Sequence, residues 1–435
     1  MSTGGSNYSL TAIESGYSQW AALAIDTNLG NFDFYSTASS QQTWAVSGMG
    51  ASLGNPTNVL TLHSNVLMNI QHGSSGGDSG YAKVIHVMTA AGVQFQPNGG
   101  AGDYRLDSSF IVESNGLLAF YNGNGGSGSG TVITGPVTLN GLAHFEIGDS
   151  TVTFSNVISG SGGFYWDNYN NEIAFAASNT YQGPTVIESG RDLALVGSGS
   201  ISATTNITLA ASATLDASQR TDHTLTLAAG QTLQGSGTVN GNLSESAGAV
   251  VSPGGAGVIG TLTVNGAVTL SGATDIQVNE TAKTGSQISG ATAITYGGTL
   301  IVSNLAGTFA SEDSFKLFTA LSYGGAFATI VPATPGPGLA WNQATLANGT
   351  LSVIAASVPP AIGTVVLSGG NLIISGRNNT GTGGGSFDLL SSANLTTPLT
   401  NWTVSASGTF DGSGNFSVTN AIGAGPSQFY ILREP

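Results

Sequence analysis

The sequence predicts an all-β chain, most of it a parallel solenoid, followed by a small separate β-domain. Three observations carry this: apolar residues alternate with small polar ones, Gly-Ser-Gly punctuation recurs at a near-constant interval, and a Pro-Pro break precedes the last 75 or so residues.

The alternation is clearest in TVITGPVTLNG (131–141), TVTFSNVISG (151–160) and TLTVNGAVTL (261–270), where β-branched residues recur every second position. Such a pattern makes strands with one buried face. Helical periodicity is nearly missing, and LDASQR (215–220) is too short and too Thr-flanked to form a helix.

GSGTV at Gly128, GSGG at Gly160, GSGSI at Gly197 and GSGTV at Gly235 are 32, 37 and 38 residues apart. Each is followed by a strand, so each reads as a corner where glycine accepts a positive φ. One coil cannot bury its own apolar face, but a stack of coils makes a continuous core. At roughly 20–25 residues per coil and about 4.8 Å per rung, residues 1–285 supply about a dozen coils and a rod some 55–60 Å long. Residues 1–120 fit the repeat least well and include a stretch around Trp20 expected to cap the first coil.

Residues 286–356 read as the final coils and a β-rich cap, with VPATPGPGLAW (331–341) as a loop inside it. SVPPAIG (357–363) reads as a linker, because Pro359 and Pro360 cannot donate to a ladder. Residues 361–435 then hold four or five short strands, with DGSG (411–414) as a tight turn, giving a small β-sandwich-like domain.

Composition narrows the function. Of 435 residues, 8 are Lys or Arg and 23 are Asp or Glu, a formal net charge of −15. That surface repels phosphate backbones and has no basic stripe, which sets nucleic acid aside. The absence of Cys removes disulfides, thiolate metal sites and Cys nucleophiles. No apolar run reaches the roughly 18–20 residues of a membrane helix, so this segment is not expected to insert in a membrane. MSTGGSNYSL has neither the basic nor the apolar region of a signal peptide; an export signal, if the protein is secreted, is expected to lie outside this sequence.

One stretch has a family likeness. ISGSGGF (158–164) and IAFAASNTYQGPTVIESGRDLALVGSGSI (173–201) resemble the autotransporter-associated β-strand repeat, whose Asn-Thr-Tyr-x-Gly-x-Thr-x-Val-like core stands here as Asn179-Thr180-Tyr181-Gln182-Gly183-Pro184-Thr185-Val186. Residues 231–270 look like the usual continuation and 296–356 like the closing part of such passenger regions. The tail, 368–434, is similar to a small C-terminal domain found on large bacterial repeat proteins. The resemblance covers about 120–435. It implies a right-handed parallel β-helix and a secreted or cell-surface, adhesin-like bacterial protein, and it brings no catalytic motif.

The residues themselves leave three functions open: a non-enzymatic rod touching glycans or cell surfaces, a polysaccharide lyase or hydrolase on the same fold, and a passive spacer displaying the C-terminal domain. For the enzyme, Asp103, Arg105 and Asp107 share one strand face, an Arg between two carboxylates. That reading expects further acids on the neighbouring coils. For glycan contact, Tyr165, Trp166 and Tyr169 in FYWDNYNNE, beside Asp167 and Glu172, offer flat rings to cover sugar faces. Exposure of those rings in a row separates the adhesin from the spacer.

Other patterns carry less. Glu188, Arg191 and Asp192 lie at an expected corner. His63, His72, His86, His144 and His223 have no metal-ligand spacing, and SPGGAGVIG (252–260) has glycines of a calcium repeat without its aspartates. Neither a metal nor a cofactor is expected. Gly77-Asp78-Ser79-Gly80 matches a serine-protease nucleophile motif, but nothing around it supplies the histidine segment.

Overall fold

The computed structural model describes residues 6–12, 19–20, 30–36, 42–47, 59–72, 83–97, 104–121, 130–148, 151–168, 172–356, 360–378, 383–422 and 427–434. The chain divides into two compact units, Met1–Ile354 and Ala355–Pro435.

The first unit is the expected solenoid. Between residues 109 and 154 the chain runs through Ser109–Val112, Leu117–Tyr121, Thr131–Ile133, Val137–Leu139, Ala143–Gly148 and Val152–Phe154. Every third strand pairs in parallel, Phe110 with Val137, Leu118 with Phe145 and Val132 with Thr153. Three sheets result. Face I has seven strands, from Ser6–Ala12 to Ile158–Ser159; face II runs through fourteen stacked strands from Gln19–Trp20 to Thr329–Val331; face III has ten, from Tyr104–Leu106 to Phe318–Ala320. Thirteen steps along face II, at about 4.8 Å each, span roughly 62 Å. Trp20 already belongs to this ladder, pairing with Ala45.

Face I stops at Ser159, and for two coils isolated bridges, Ser178 with Ser200 and Gly197 with Arg220, and single backbone hydrogen bonds such as Thr180 N to Ile158 O at 2.8 Å join the rungs there. A five-stranded sheet, face IV, then takes the same place in the chain order, from Thr224–Leu227 to Tyr323–Gly325. The interruption coincides with the Asn179–Val186 segment. Tyr181 turns fully inward there, its hydroxyl 2.6 Å from Thr185 Oγ1. Thr185 donates to Thr204 Oγ1 at 3.3 Å, and Thr204 donates onward to the Gly183 carbonyl. Asn179 Oδ1 accepts from the Ile158 amide at 2.8 Å. Asn179, Tyr181 and Thr185 are therefore an internal hydrogen-bonded plug where strand pairing lapses, satisfying their buried oxygens, while Asn179 Nδ2 has no partner among the described residues.

The corners behave as the punctuation predicts. Gly160, Gly197 and Gly235 have φ of +110°, +59° and +111°; Gly128 lies outside the described residues. A second glycine register, Gly141, Gly162 and Gly183, is set one coil apart, with Gly183 N donating to Gly162 O at 2.8 Å and Gly163 N to Gly141 O at 3.1 Å. A Cβ on Gly183 would lie 2.5 Å from the Gly162 carbonyl carbon. The coils approach more closely there than any side chain allows.

Inward positions change character along the axis. Phe95, Phe110, Phe120, Phe145, Phe154, Phe164 and Phe175 form a buried aromatic column, with Phe95 and Phe120 stacked at 5.5 Å. From Ile187 to Val278 the buried apolar residues are aliphatic. The far end is closed by an antiparallel pairing of Ser314–Lys316 with Thr350–Ala355, and by the 3-10 turn Gln343–Asn348. Trp341, at the end of the expected cap loop, donates its indole N–H to Pro332 O at 2.8 Å. Covering a terminal rung matters because bare strand edges invite further pairing.

The second unit has two three-stranded antiparallel sheets, Ala361–Ser368, Asn371–Arg377 and Asn415–Ala421 in one, and Thr403–Thr409, Ser386–Ser392 and Phe429–Arg433 in the other. Ile374, Phe387, Leu389, Phe410, Phe416 and Leu432 make its core. The 411–414 turn is present, with Asp411 Oδ1 accepting from the amides of Ser413 at 2.9 Å and Asn415 at 2.8 Å.

Candidate functional site

The aromatic run is split by the strand alternation. In Phe164–Asn168, Tyr165 faces out and is half-buried, whereas Trp166 is 0% exposed in the core. Tyr169 lies outside the described residues. For the two described rings the expectation of a shared exposed row is corrected: neighbours on a strand point to opposite sides, so Trp166 supports the fold and Tyr165 reaches the surface.

Residues from other coils join Tyr165 on the outward side of face II. His144 is its rung partner, with ring centroids 4.9 Å apart and planes tilted by 55°. The Tyr165 hydroxyl donates to Glu188 Oε1 at 2.9 Å, one coil on. Two coils earlier, the Tyr121 hydroxyl donates to Glu146 Oε2 at 2.6 Å. The result is a pair of adjoining rings beside two carboxylates, each carboxylate oriented by a tyrosine. Flat rings cover the apolar faces of sugars, and oriented carboxylates accept hydrogen bonds from hydroxyls.

The sequence names Tyr165 and Glu188 but not their grouping with Tyr121, His144 and Glu146. The available signal is spacing: Tyr121 to Glu146 is 25 residues and Tyr165 to Glu188 is 23, each close to one coil. Converting spacing into contact requires the rung register.

The outward side of face III is a second polar surface. Thr214, Thr238, Thr263 and Ser289 form one column, and Asp216, Asn240 and Asn265 another beside it. Asn265 Nδ2 donates to Asn240 Oδ1 at 2.8 Å. Nearer the start of this face, Glu172 and Asp192 are rung partners. Burial, then the charges of Asp216 and Asp192, pushes the Glu172 carboxyl above its usual range.

Arg105 and Asp107 are exposed on face III, as the alternation predicts, and Asp103 lies outside the described residues. The acids expected beside them are replaced by other residues: along the Arg105 column the next coils carry Val132 and Thr153. Glu188 and Arg191 bracket the expected corner, the Arg191 amide donating to the Glu188 carbonyl at 3.2 Å, and Asp192 opens the face III strand that follows.

The histidines are dispersed. His63 Nε2 lies 3.1 Å from Asp33 and its ring stacks on Tyr35 at 3.9 Å. His86 meets Glu113 at 2.9 Å, and this hydrogen bond, with one from Asn140, holds the Glu113 carboxyl below its ordinary value. His223 Nδ1 meets Ser218 O at 2.5 Å, and the His72 side chain is outside the described set. Among the described residues no three His, Asp or Glu side chains are grouped to hold a metal. Gly77–Gly80 also falls outside the described residues.

No family model matches the chain, and no curated protein matches it at a significant level. Among solved structures it is similar to the Hap adhesin of Haemophilus influenzae, at 11% identity and a TM-score of 0.27, over 80% of this chain and 43% of that one. The chain thus spans less than half the length of that structure. At this distance the likeness carries no functional argument, and the solenoid assignment rests on the strand register.

Proposed function

We propose that this chain is a secreted or cell-surface, non-enzymatic, adhesin-like rod of the autotransporter-associated repeat type, whose outward side of face II contacts glycans. The observation that carries this reading is the grouping of Tyr165 and His144 with Glu146 and Glu188. Beyond Asp192 and Asp216, the Thr and Asn columns of face III add a polar hydrogen-bonding surface on the same rigid support. Net charge of −15 keeps such a rod soluble and favours neutral over anionic glycans. A lyase or hydrolase centred on Arg105 and Asp107 draws no support from Val132 and Thr153, the neighbours in its column.

The test is a glycan array and polysaccharide pull-down with the full chain, its Tyr165→Ala/His144→Ala variant, and reducing-end and unsaturated-product assays on every hit. Retention lost in the variant without product release is the expected result. Product release from the wild type, or equal retention by both proteins, overturns the proposal.

A further inference from the structure

The inward side of face IV carries two columns. One runs Leu225, Leu243, Val268 and Ile294, and the other Leu227, Glu245, Leu270 and Tyr296. All eight are buried. Glu245, 1% exposed, is thus a carboxyl seated between two leucines on successive rungs.

Its surroundings only half satisfy it. Oε2 accepts from the Gly272 amide at 3.1 Å, while Oε1 has no hydrogen-bond partner among the described residues. Gly272 is itself constrained by this arrangement, since a Cβ there would lie 3.0 Å from the Glu245 carboxyl carbon and 2.3 Å from Ala249 O. Among the described residues no cation faces the group. Thr224–Leu227 is preceded at its far end by exposed Asp222 and His223, and Val250–Pro253, Thr261–Asn265 and Ala267–Leu270 carry no charged residue. Ala273–Asn279 carries Asp275, whose carboxylate is held by Ser252 and Gln277.

We infer that Glu245 is a proton-controlled joint in the solenoid: the coils from Thr224–Leu227 to Ala267–Leu270 hold most tightly with this carboxyl protonated and loosen as it ionises. A neutral carboxyl suits the leucine column and can donate, whereas a carboxylate there is a buried charge without a counter-ion, and the backbone amides of Gly272, Val251 and Ala273 offset its burial only in part. Burial pushes the group from 4.5 up to about 7. The native state therefore keeps a proton that the opened chain releases. Stability of these coils is full below the unfolded value, falls as pH rises between it and the folded value, and levels off above.

Hydrogen exchange of the full chain tests this, comparing segments 224–273 and 137–187 at about pH 5 and about pH 8.5 after correction for intrinsic exchange. In the wild type, protection across 224–273 is expected to fall by on the order of 10² while 137–187 holds. Glu245→Gln removes the titration and is expected to keep the change below about threefold. Glu245→Leu, which continues the leucine column, gives the same pH-insensitive result if the amide is poorly accommodated. An unchanged wild type, or a loss of the same size in both variants, overturns the inference.

Discussion

Tyr165 and Trp166 are adjacent in sequence and lie on opposite sides of one strand, the first donating its hydroxyl to Glu188 at 2.9 Å and the second 0% exposed. Their chemistry is similar and their environments are not, so substitutions at the two positions are expected to separate binding from stability.

Trp166→Ala empties a core position flanked by its rung partners Phe145 and Ile187, and is expected to cost about 3–5 kcal/mol in chemical denaturation. Tyr165→Phe removes an outward hydroxyl and is expected to stay within about 1 kcal/mol of wild type. Its loss is expected in glycan retention. A Trp166→Ala protein as stable as the wild type would contradict the inward placement.

Tyr181→Phe tests the plug at the face I interruption. The hydroxyl 2.6 Å from Thr185 is buried completely, and the same burial raises its pKa far above the ordinary tyrosine value. Removing it leaves part of a polar chain unsatisfied, with an expected cost of about 1–3 kcal/mol in thermal or denaturant unfolding. Thr204→Val, which cuts the chain from Thr185 to Gly183, is expected to cost a similar amount. Both variants are expected to lose hydrogen-exchange protection locally, around 179–209.

Gly183→Ala places a methyl against the Gly162 carbonyl carbon at 2.5 Å, where only backbone lies in the way. The coils must separate locally, and a loss of at least about 1–3 kcal/mol is expected. Gly324→Ala meets nothing within 4 Å and serves as the control; its midpoint is expected to shift by less than about 0.5 kcal/mol.

Glu172 predicts a smaller pH effect on face III. Burial and the neighbouring Asp216 and Asp192 raise its pKa, so the folded state holds a proton that the unfolded state gives up. Stability contributed here is present at acidic pH and declines as pH rises through the raised carboxylate range. Asp216→Asn removes the neighbouring charge that acts more strongly on Glu172 and is expected to flatten that decline. Thermal unfolding of the two proteins from about pH 4 to pH 7 is the measurement, and identical slopes would dismiss the interaction.

The fold was legible for a local reason. In TVITGPVTLNG and TLTVNGAVTL the period-2 alternation states which side of each strand is buried, and glycines mark where the chain turns; Gly160, Gly197 and Gly235 all have the positive φ their positions imply. The same logic, applied within FYWDN, places Tyr165 and Trp166 on opposite sides, and grouping them as one aromatic cluster overlooked it. Asn179, Tyr181 and Thr185 were recognisable as a motif, while their role as an internal plug depends on Ile158 and Thr204 arriving from other parts of the chain.

By itself the sequence determined the class of structure: all-β, solenoidal over most of its length, acidic and free of cysteine. Only the tertiary structure decided which side chains meet, because a contact between coils depends on where each of two strands begins within stretches 18–30 residues apart. Tyr121 with Glu146, Tyr165 with Glu188 and Leu227 with Glu245 are pairs of that kind. A one-residue change of register turns every side chain of a strand to the other face, so neither the outward aromatic and acidic group nor the inward carboxyl exists until the rungs are aligned.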